Sequence, residues 1–150
     1  MISREFVTAG KAIFTIEVPI NFQLQYNNVK PHYTYRINFK KGEGQWNDTY
    51  FINLLTGPDN SSPYDYTCFA LLDANSGKIS LTRKTRLTDN SWPVKILRRV
   101  LANIWQGTGH RIEESGFKVH HEGRCGRCGR RLTVPSSIES GIGPECATRI

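Results

Sequence analysis

The sequence predicts an α+β fold, in which an antiparallel β-meander of about five strands carries one packed amphipathic helix and precedes a small module rich in cysteine. Residues 32–40 alternate between apolar and polar side chains with a period of two, which is typical of a half-buried strand. Residues 94–105 repeat apolar side chains at helical spacing. Three of the four cysteines fall between residues 125 and 146.

The five strands are predicted from short segments rich in β-branched and aromatic residues. The first lies within residues 6–18, where an irregular alternation begins at Ile13 and ends before Pro19. The third is nearly all apolar, so we expect it to be central in the sheet. The remaining segments are residues 32–40, 49–56, 64–72 and 78–83.

The helix is bounded by recognisable start and stop signals. Asp89, Asn90 and Ser91 are candidate N-caps, Pro93 fits the first turn, and Gly107 is typical of a helix end. The apolar side chains share one face, which we expect to pack on the sheet, and the basic ones lie largely off it. The apolar set is Val94, Leu97, Val100, Leu101, Ile104 and Trp105, and the basic set is Lys95, Arg98 and Arg99.

This pattern predicts a sheet-plus-helix domain over residues 1–106, a connection over 107–118 and a metal-binding module over 119–150. The formal net charge is +7, and residues 78–106 hold seven Lys or Arg against one Asp. Such a concentrated positive charge favours a polyanion or an acidic protein as partner. A solvated surface that aids solubility is the simpler alternative.

Several function classes are not expected. No apolar run approaches the roughly 18 residues of a membrane span, and residues 1–6 do not resemble a secretion signal. Clustered cysteines indicate metal in a reducing compartment, so we expect a cytoplasmic protein without a membrane partner. No phosphate-binding loop or catalytic triad is present, and the Glu113–Glu114 pair is typical of a solvated surface. We therefore expect no enzyme and no small-molecule substrate, with a metal-dependent nuclease as the residual catalytic alternative.

The cysteines have the spacing of a zinc site. Cys125 and Cys128 form a Cys-x-x-Cys pair, in which one tight turn directs both sulfurs to one point, and Gly129 accepts the backbone angle that follows. Gly143-Pro144 is typical of a helix start and places Cys146 in a first turn. A knuckle, a short strand over 131–135 and a ligand from a helix start predict a treble-clef-like module. A redox Cys-x-x-Cys is the alternative, but it normally lies in a βαβ context.

The fourth ligand is expected upstream, because only residues 147–150 follow the last cysteine. His121, four residues before the pair, is preferred over His120, and His110 is a third choice. Four protein ligands would close the coordination sphere of one Zn²⁺, which makes its role structural. A site that neither His120 nor His121 completes would instead keep an open position for catalysis.

The run from His121 to Cys146, with Cys-x-x-Cys-Gly-Arg, Leu-Thr-x-Pro and Gly-Ile-Gly-Pro-x-Cys, resembles an uncharacterised zinc-binding family. That family is common in bacteriophage and bacterial mobile-element proteins. The resemblance implies a phage origin, hence the host cytoplasm, with zinc on Cys125, Cys128 and Cys146. It implies no known enzymatic activity and no particular molecular function.

Two functions fit these observations. The first is binding of nucleic acid, with phosphates contacted by basic side chains and bases stacked on tyrosines if these line an exposed face. The second is a protein-binding adaptor, or an inhibitor that docks on an acidic surface of a host protein. The basic candidates are Lys84, Arg86, Lys95, Arg98, Arg99, Arg127, Arg130 and Arg131, with Lys78, Arg83 and Arg124 nearby. The tyrosines are Tyr33, Tyr35, Tyr64 and Tyr66, for which sheet core is the alternative.

Overall fold

The computed structural model describes residues 1–42, 48–59, 62–132, 135–143 and 146–147, with side chains omitted at 135–137. It contains a six-stranded, wholly antiparallel sheet with the order β5-β4-β3-β2-β1-β6. The strands are β1 Lys11–Glu17, β2 His32–Lys40, β3 Thr49–Leu55, β4 Tyr66–Leu72, β5 Ile79–Leu81 and β6 Lys118–His121. Strands β1 to β5 form the predicted meander, in which β3 is central.

The longest of the described helices packs on one face of this sheet, as predicted. Helix α3 covers Trp92–Gln106, with Ser91 at its N-cap and Gly107 at its C-cap with φ 74°. The shorter helices are α1 Arg4–Val7, α2 Ile20–Gln25, α4 Gly109–Glu114 and α5 Pro135–Ser140, and a 3₁₀ turn covers Pro63–Asp65. Within the described chain, every helix is too short or too polar to cross a membrane.

Strand β2 shows why the main core lies between α3 and the sheet. Tyr33, Tyr35 and Ile37 are buried on one face, and the Tyr35 hydroxyl donates to the Pro93 carbonyl of α3 at 2.7 Å. Because the side chains of a strand alternate between faces, Arg36 lies on the opposite face. Tyr33 and Tyr35 are therefore core residues and are not available for stacking on bases.

The sixth strand was not predicted. Strand β6 pairs with β1, with Phe14 opposite His121 and Ile16 opposite Val119. Val119 is buried in the main core, so residues assigned to the connection and to the module contribute to the sheet. The connection also contains α4. The structure thereby joins the cysteine-rich segment directly to the edge of the sheet.

The N-terminal segment also differs from the prediction. Phe6 and Val7 lie in helix α1, capped by the Ser3 hydroxyl, rather than in the first strand. Both residues are buried in the main core. After a turn at Gly10, with φ 119°, β1 begins at Lys11, whose amide donates to the Gly126 carbonyl at 2.6 Å. The first residues of the chain therefore contact the cysteine-rich segment.

Candidate metal centre and basic groove

The Cys-x-x-Cys pair lies at the tip of a small hairpin. Arg124 and Arg131 form an antiparallel bridge, and the Cys125 amide donates to the Arg130 carbonyl at 2.8 Å. The Gly129 amide donates to the Cys125 carbonyl at 2.9 Å, and Gly129 has φ 79°. This left-handed geometry favours glycine because a side chain would be strained there. The hairpin has the form of a zinc knuckle, while Thr133 and Val134 of the predicted strand lie outside the described residues.

Three sulfur atoms come together at this tip. The Sγ atoms of Cys125, Cys128 and Cys146 all lie within 4.8 Å of one another, and they form the one such group of potential ligands among the described residues. Cys146 is helical and the Ala147 amide donates to the Gly143 carbonyl at 2.9 Å, whereas Pro144 of the predicted helix start lies outside the described residues. Thiolate sulfurs bound to one Zn²⁺ at about 2.3 Å would lie roughly 3.8 Å apart. The three cysteines therefore fit a thiophilic metal ion.

The electrostatics of the three thiols favour a cation. Burial acts to raise the pKa of the Cys125 thiol, but backbone hydrogen bonds from Gly143, Cys128 and Arg127 outweigh it and lower the pKa to about 7. The Gly143 and Arg127 amides lie 3.2 and 3.4 Å from the sulfur. Burial, followed by interactions with Cys128 and Cys125, raises the pKa of Cys146 to about 11. Thiolates at Cys125 and Cys146 would repel each other, and a bound metal ion would stabilise them together.

The cysteine-rich segment has its own small apolar cluster beside the main core. Cys125, Leu132, Ile142 and Cys146 form this cluster, and Ala9 packs against it. Such a small cluster buries little apolar area, so it needs a further source of stability, which metal binding would supply.

Phe6 connects this cluster to the main core. A Cβ atom added at Gly126 would lie 2.6 Å from Cδ2 of Phe6, and one added at Gly141 would lie 2.7 Å from the same atom. The Phe6 ring, which is 1% exposed, therefore fits against two glycines that leave room for it. The ring also contacts His121, with 5.6 Å between ring centroids.

The structure does not place His121 beside the three sulfurs. Its Nδ1 accepts a hydrogen bond from the Gly123 amide at 2.9 Å, and its Nε2 contacts the Ile138 carbonyl. His120 lies on the opposite face of β6, with Nε2 3.9 Å from the Glu17 carboxylate. His110, in α4, is exposed. None of the three histidines belongs to the described ligand group.

The basic residues of α3 have neighbours within the protein. Arg98 pairs with Asp89 at 2.5 Å and donates to the Ile79 carbonyl at 3.2 Å. Lys95 lies 4.7 Å from the Trp92 ring centroid, and Arg99 lies 5.6 Å from that of Phe117. Arg98 is thus half-buried with a structural role, whereas Lys95 and Arg99 are exposed above aromatic rings.

The other predicted basic residues fall into two groups. Lys84 and Arg86 are exposed in the segment between β5 and α3. Arg127 is half-buried, and its guanidinium donates to the Cys146 carbonyl at 3.4 Å. Arg130 and Arg131 are exposed on the hairpin, but only Arg131 lines the groove described next.

A broad open groove of about 690 Å³ lies between the hairpin and the sheet face opposite α3. Four cationic side chains line it, namely Lys11 from β1, Arg36 from β2, and Arg124 and Arg131 from the hairpin. Among the described lining residues, Glu122 is the one acidic group. The sequence interpretation missed Lys11 and Arg36. The alternation of β2 was the available signal, because a residue between Tyr35 and Ile37 must face away from the core.

Hydrogen bonds hold the side chain of Glu122, which lines this groove. The Thr15 hydroxyl donates to the Glu122 carboxylate at 2.7 Å and lies 2.7 Å from the Thr34 hydroxyl. Tyr66 is buried beside them, and burial, followed by the charge of Glu122, raises its pKa to about 12. Its phenol therefore stays neutral at physiological pH, so the charges of the groove are those of the arginines, Lys11 and Glu122.

Residues 119–150, which include all three clustered cysteines, match the sequence model of a family of unknown function, DUF6011. No curated protein and no solved structure matches the chain. The C-terminal segment is thus similar to a family whose description specifies no activity, ligand or partner.

Proposed function

We propose that Cys125, Cys128 and Cys146 bind one structural Zn²⁺ and that the folded hairpin forms part of a binding site for nucleic acid. Three converging thiols, with amide donors on Cys125, support the choice of zinc. The knuckle and the helical ligand Cys146 support a treble-clef-like module. Bound zinc would stabilise a segment whose own apolar cluster is small, and this role is non-catalytic.

His121 stays the predicted fourth ligand, and it would have to leave two hydrogen bonds to reach the metal. Metal analysis of the purified protein should give about one zinc per chain. Loss of zinc in His121→Ala, but not in His120→Ala, would support the assignment. Retention of zinc in both variants would show that neither histidine is needed.

The groove is the single observation that carries the nucleic-acid proposal. Four cations face one open surface with one carboxylate between them, and two of the cations belong to the hairpin that the metal would stabilise. Such a surface matches the phosphate backbone, whose binding releases counterions and weakens as salt increases. The same cations could bind an acidic surface of a host protein, but four cations along one open groove match the regularly spaced charges of a phosphate backbone.

The test is a binding assay across salt concentrations with single- and double-stranded oligonucleotides of equal length. We expect the double variant Arg124→Gln/Arg131→Gln to lower the magnitude of the slope of log K against log salt by about 1.4 for single strands and about 1.8 for duplex. Lys41→Gln is a control, because this exposed lysine does not line the groove. A wild-type protein that binds neither nucleic acid at 100 mM salt, or a slope that the double variant leaves unchanged, would refute the proposal. A partner captured from nuclease-treated host lysate and lost in the double variant would favour the adaptor function.

A further inference from the structure

A second, smaller pocket lies on the other side of the molecule, between α2 and α3. It has a volume of about 330 Å³, at the small end of the range of ligand sites. Its walls include four aromatic rings, those of Phe22, Tyr26, Trp92 and Phe117. The pocket is separate from the basic groove, with which it shares no lining residue.

The aromatic rings form a connected set. Phe22 lies at the centre, with its ring centroid 4.6 Å from that of Tyr26, 5.5 Å from that of Trp92 and 5.2 Å from that of Phe117. Trp92 is fixed further by its indole N–H, which donates to the Asn27 carbonyl at 2.9 Å. Tyr26 is 39% exposed, so part of its ring is open to solvent. Phe117 is buried in the main core, and Phe22 and Trp92 are half-buried against it, so Tyr26 is the most exposed ring of this set.

Two cations stand beside these rings. Lys95 and Arg99 are four residues apart and therefore lie on the same side of α3. Their side chains rest over Trp92 and Phe117, which holds each charge at the edge of the pocket. No acidic residue is among those that line the pocket in the described chain. The pocket thus combines aromatic faces with positive charge, which is the combination that binds unpaired bases and their phosphates.

Strand β6 connects this pocket with the groove. Phe117 of the pocket precedes β6, and Gly123 and Arg124 of the groove follow it. Lys118 and His120 are exposed along this edge, where β6 pairs only with β1 among the described strands. The chain from Phe117 to Gly123 would span about 20 Å if extended, and a flexible single strand can follow such an edge more easily than a stiff duplex.

We propose that this aromatic pocket holds an unpaired base of a single-stranded nucleic acid whose backbone continues over the edge of β6 into the basic groove. The proposal rests on the nucleic-acid function proposed above and adds the class of substrate. Stacking is sequence-tolerant, so the pocket selects single strands over duplexes rather than one base over another.

The experiment compares four variants on a single-stranded oligonucleotide and on a duplex of the same length. Tyr26→Leu removes the aromatic face but keeps an apolar side chain. Leu24→Ala is its control, because Leu24 is exposed in α2, two residues before Tyr26, and does not line the pocket. Lys95→Gln removes one charge, with Lys41→Gln as its control. We expect Tyr26→Leu to weaken single-strand binding about tenfold with an unchanged salt slope. We expect Lys95→Gln to lower the magnitude of that slope by about 0.7. Duplex affinity should stay within twofold in both variants.

The outcomes separate the two proposals. Two results would refute base binding in the pocket without affecting the groove proposal. One is an equal loss of affinity for single strands and for duplex. The other is a loss of affinity under twofold in both Tyr26→Leu and Lys95→Gln. A loss of single-strand affinity in the pocket variants alone, with no effect of Arg124→Gln/Arg131→Gln, would refute phosphate binding in the groove and the proposed path into it. It would support only the binding of a base in the pocket. A wild-type protein that binds neither nucleic acid would overturn both. Circular dichroism and thermal unfolding confirm that each variant is folded.

Discussion

The contact between Phe6 and the cysteine hairpin can be tested by adding one methyl group. In Gly126→Ala, the new Cβ would lie 2.6 and 2.7 Å from two atoms of the Phe6 ring and 3.2 Å from its carbonyl oxygen. Carbon atoms pack at about 3.5–4.0 Å, so the ring would have to move by roughly 1 Å. The ring is 1% exposed, so a movement would have to displace packed neighbours. Gly126 does not have a positive φ, so the substitution adds crowding without backbone strain.

Overpacking of this kind costs about 1–3 kcal/mol of the free energy of unfolding. A loss of about 2 kcal/mol corresponds to a Tm lower by roughly 4–8 °C in a domain of this size. The assay is urea and thermal unfolding of the metal-loaded protein. Gly42→Ala is the matched control, because among the described residues no atom beyond its chain neighbours lies within 4 Å of a Cβ added there, and we expect a change within about 0.5 kcal/mol.

A double-mutant cycle identifies the ring as the cause. Phe6→Ala alone should cost about 3–5 kcal/mol, because it removes a buried ring and leaves a cavity. Once that ring is absent, Gly126→Ala should cost at least about 1 kcal/mol less than in the wild-type background. Purely additive effects, or a Gly126→Ala protein as stable as the Gly42→Ala control, would refute the contact between the main core and the hairpin.

Three further predictions concern the metal, the groove and the helix. Cys128→Ser should release the metal and remove hydrogen-exchange protection from the cysteine hairpin, while the central strands β2–β4 stay protected; loss of protection in those strands would show one common cooperative unit. Glu122→Gln should increase affinity for oligonucleotides severalfold at low salt, because it removes the negative charge of the groove while the new amide oxygen can still accept a hydrogen bond from Thr15. A lower affinity would contradict binding of an anion in the groove. Arg98→Ala should lower stability by about 1 kcal/mol through loss of its contacts with Asp89 and the Ile79 carbonyl, and should leave affinity within twofold; a large change in the salt slope would instead identify Arg98 as a phosphate contact.

Local signals predicted the elements whose boundaries are set by nearby residues. Pro93 lies in the first turn of α3 and Gly107 at its C-cap as expected, and the predicted strand over His32–Lys40 has the bounds of β2, although Thr34 is buried and Phe39 is exposed. The cysteines were also grouped correctly, because two lie in one tight turn and the third has few alternative positions. The helix caps, the strand periodicity and the Cys125–Cys128 turn are each set by residues within a single short segment.

Strand β6 could not be predicted in the same way. It has four residues and forms only because β1, about a hundred residues earlier, leaves an open edge. One of its two histidines was expected to complete the metal site, with His121 preferred over His120, and pairing with β1 directs the two to opposite faces of the sheet. The groove escaped prediction for a related reason, because Lys11, Arg36 and Arg131 are far apart in sequence and are brought together by the sheet register.

The fold determines which of the basic residues of 78–106 remain free on the surface. The sequence concentrates basic residues there, but the fold pairs Arg98 with Asp89 and places Lys95 and Arg99 over aromatic rings. Arg98 is the half-buried, ion-paired member of this basic set, whereas the other six basic side chains stay exposed: Lys78, Arg83, Lys84, Arg86, Lys95 and Arg99. The groove on the other face of the sheet is lined by cations from three separate segments, namely β1, β2 and the cysteine hairpin.

The pairing of β1 with β6 has a consequence for how the chain folds on the ribosome. Strand β1 and Phe6 are synthesised before their partners around residues 118–141, which follow about 5–27 s later at ordinary rates of translation. During that interval the meander can assemble from neighbouring strands, while β1 presents an unpaired edge and Phe6 an uncovered ring. The nascent chain is therefore most exposed to aggregation or chaperone capture just before residues 118–141 appear, and truncation before residue 118 would make that transient state permanent.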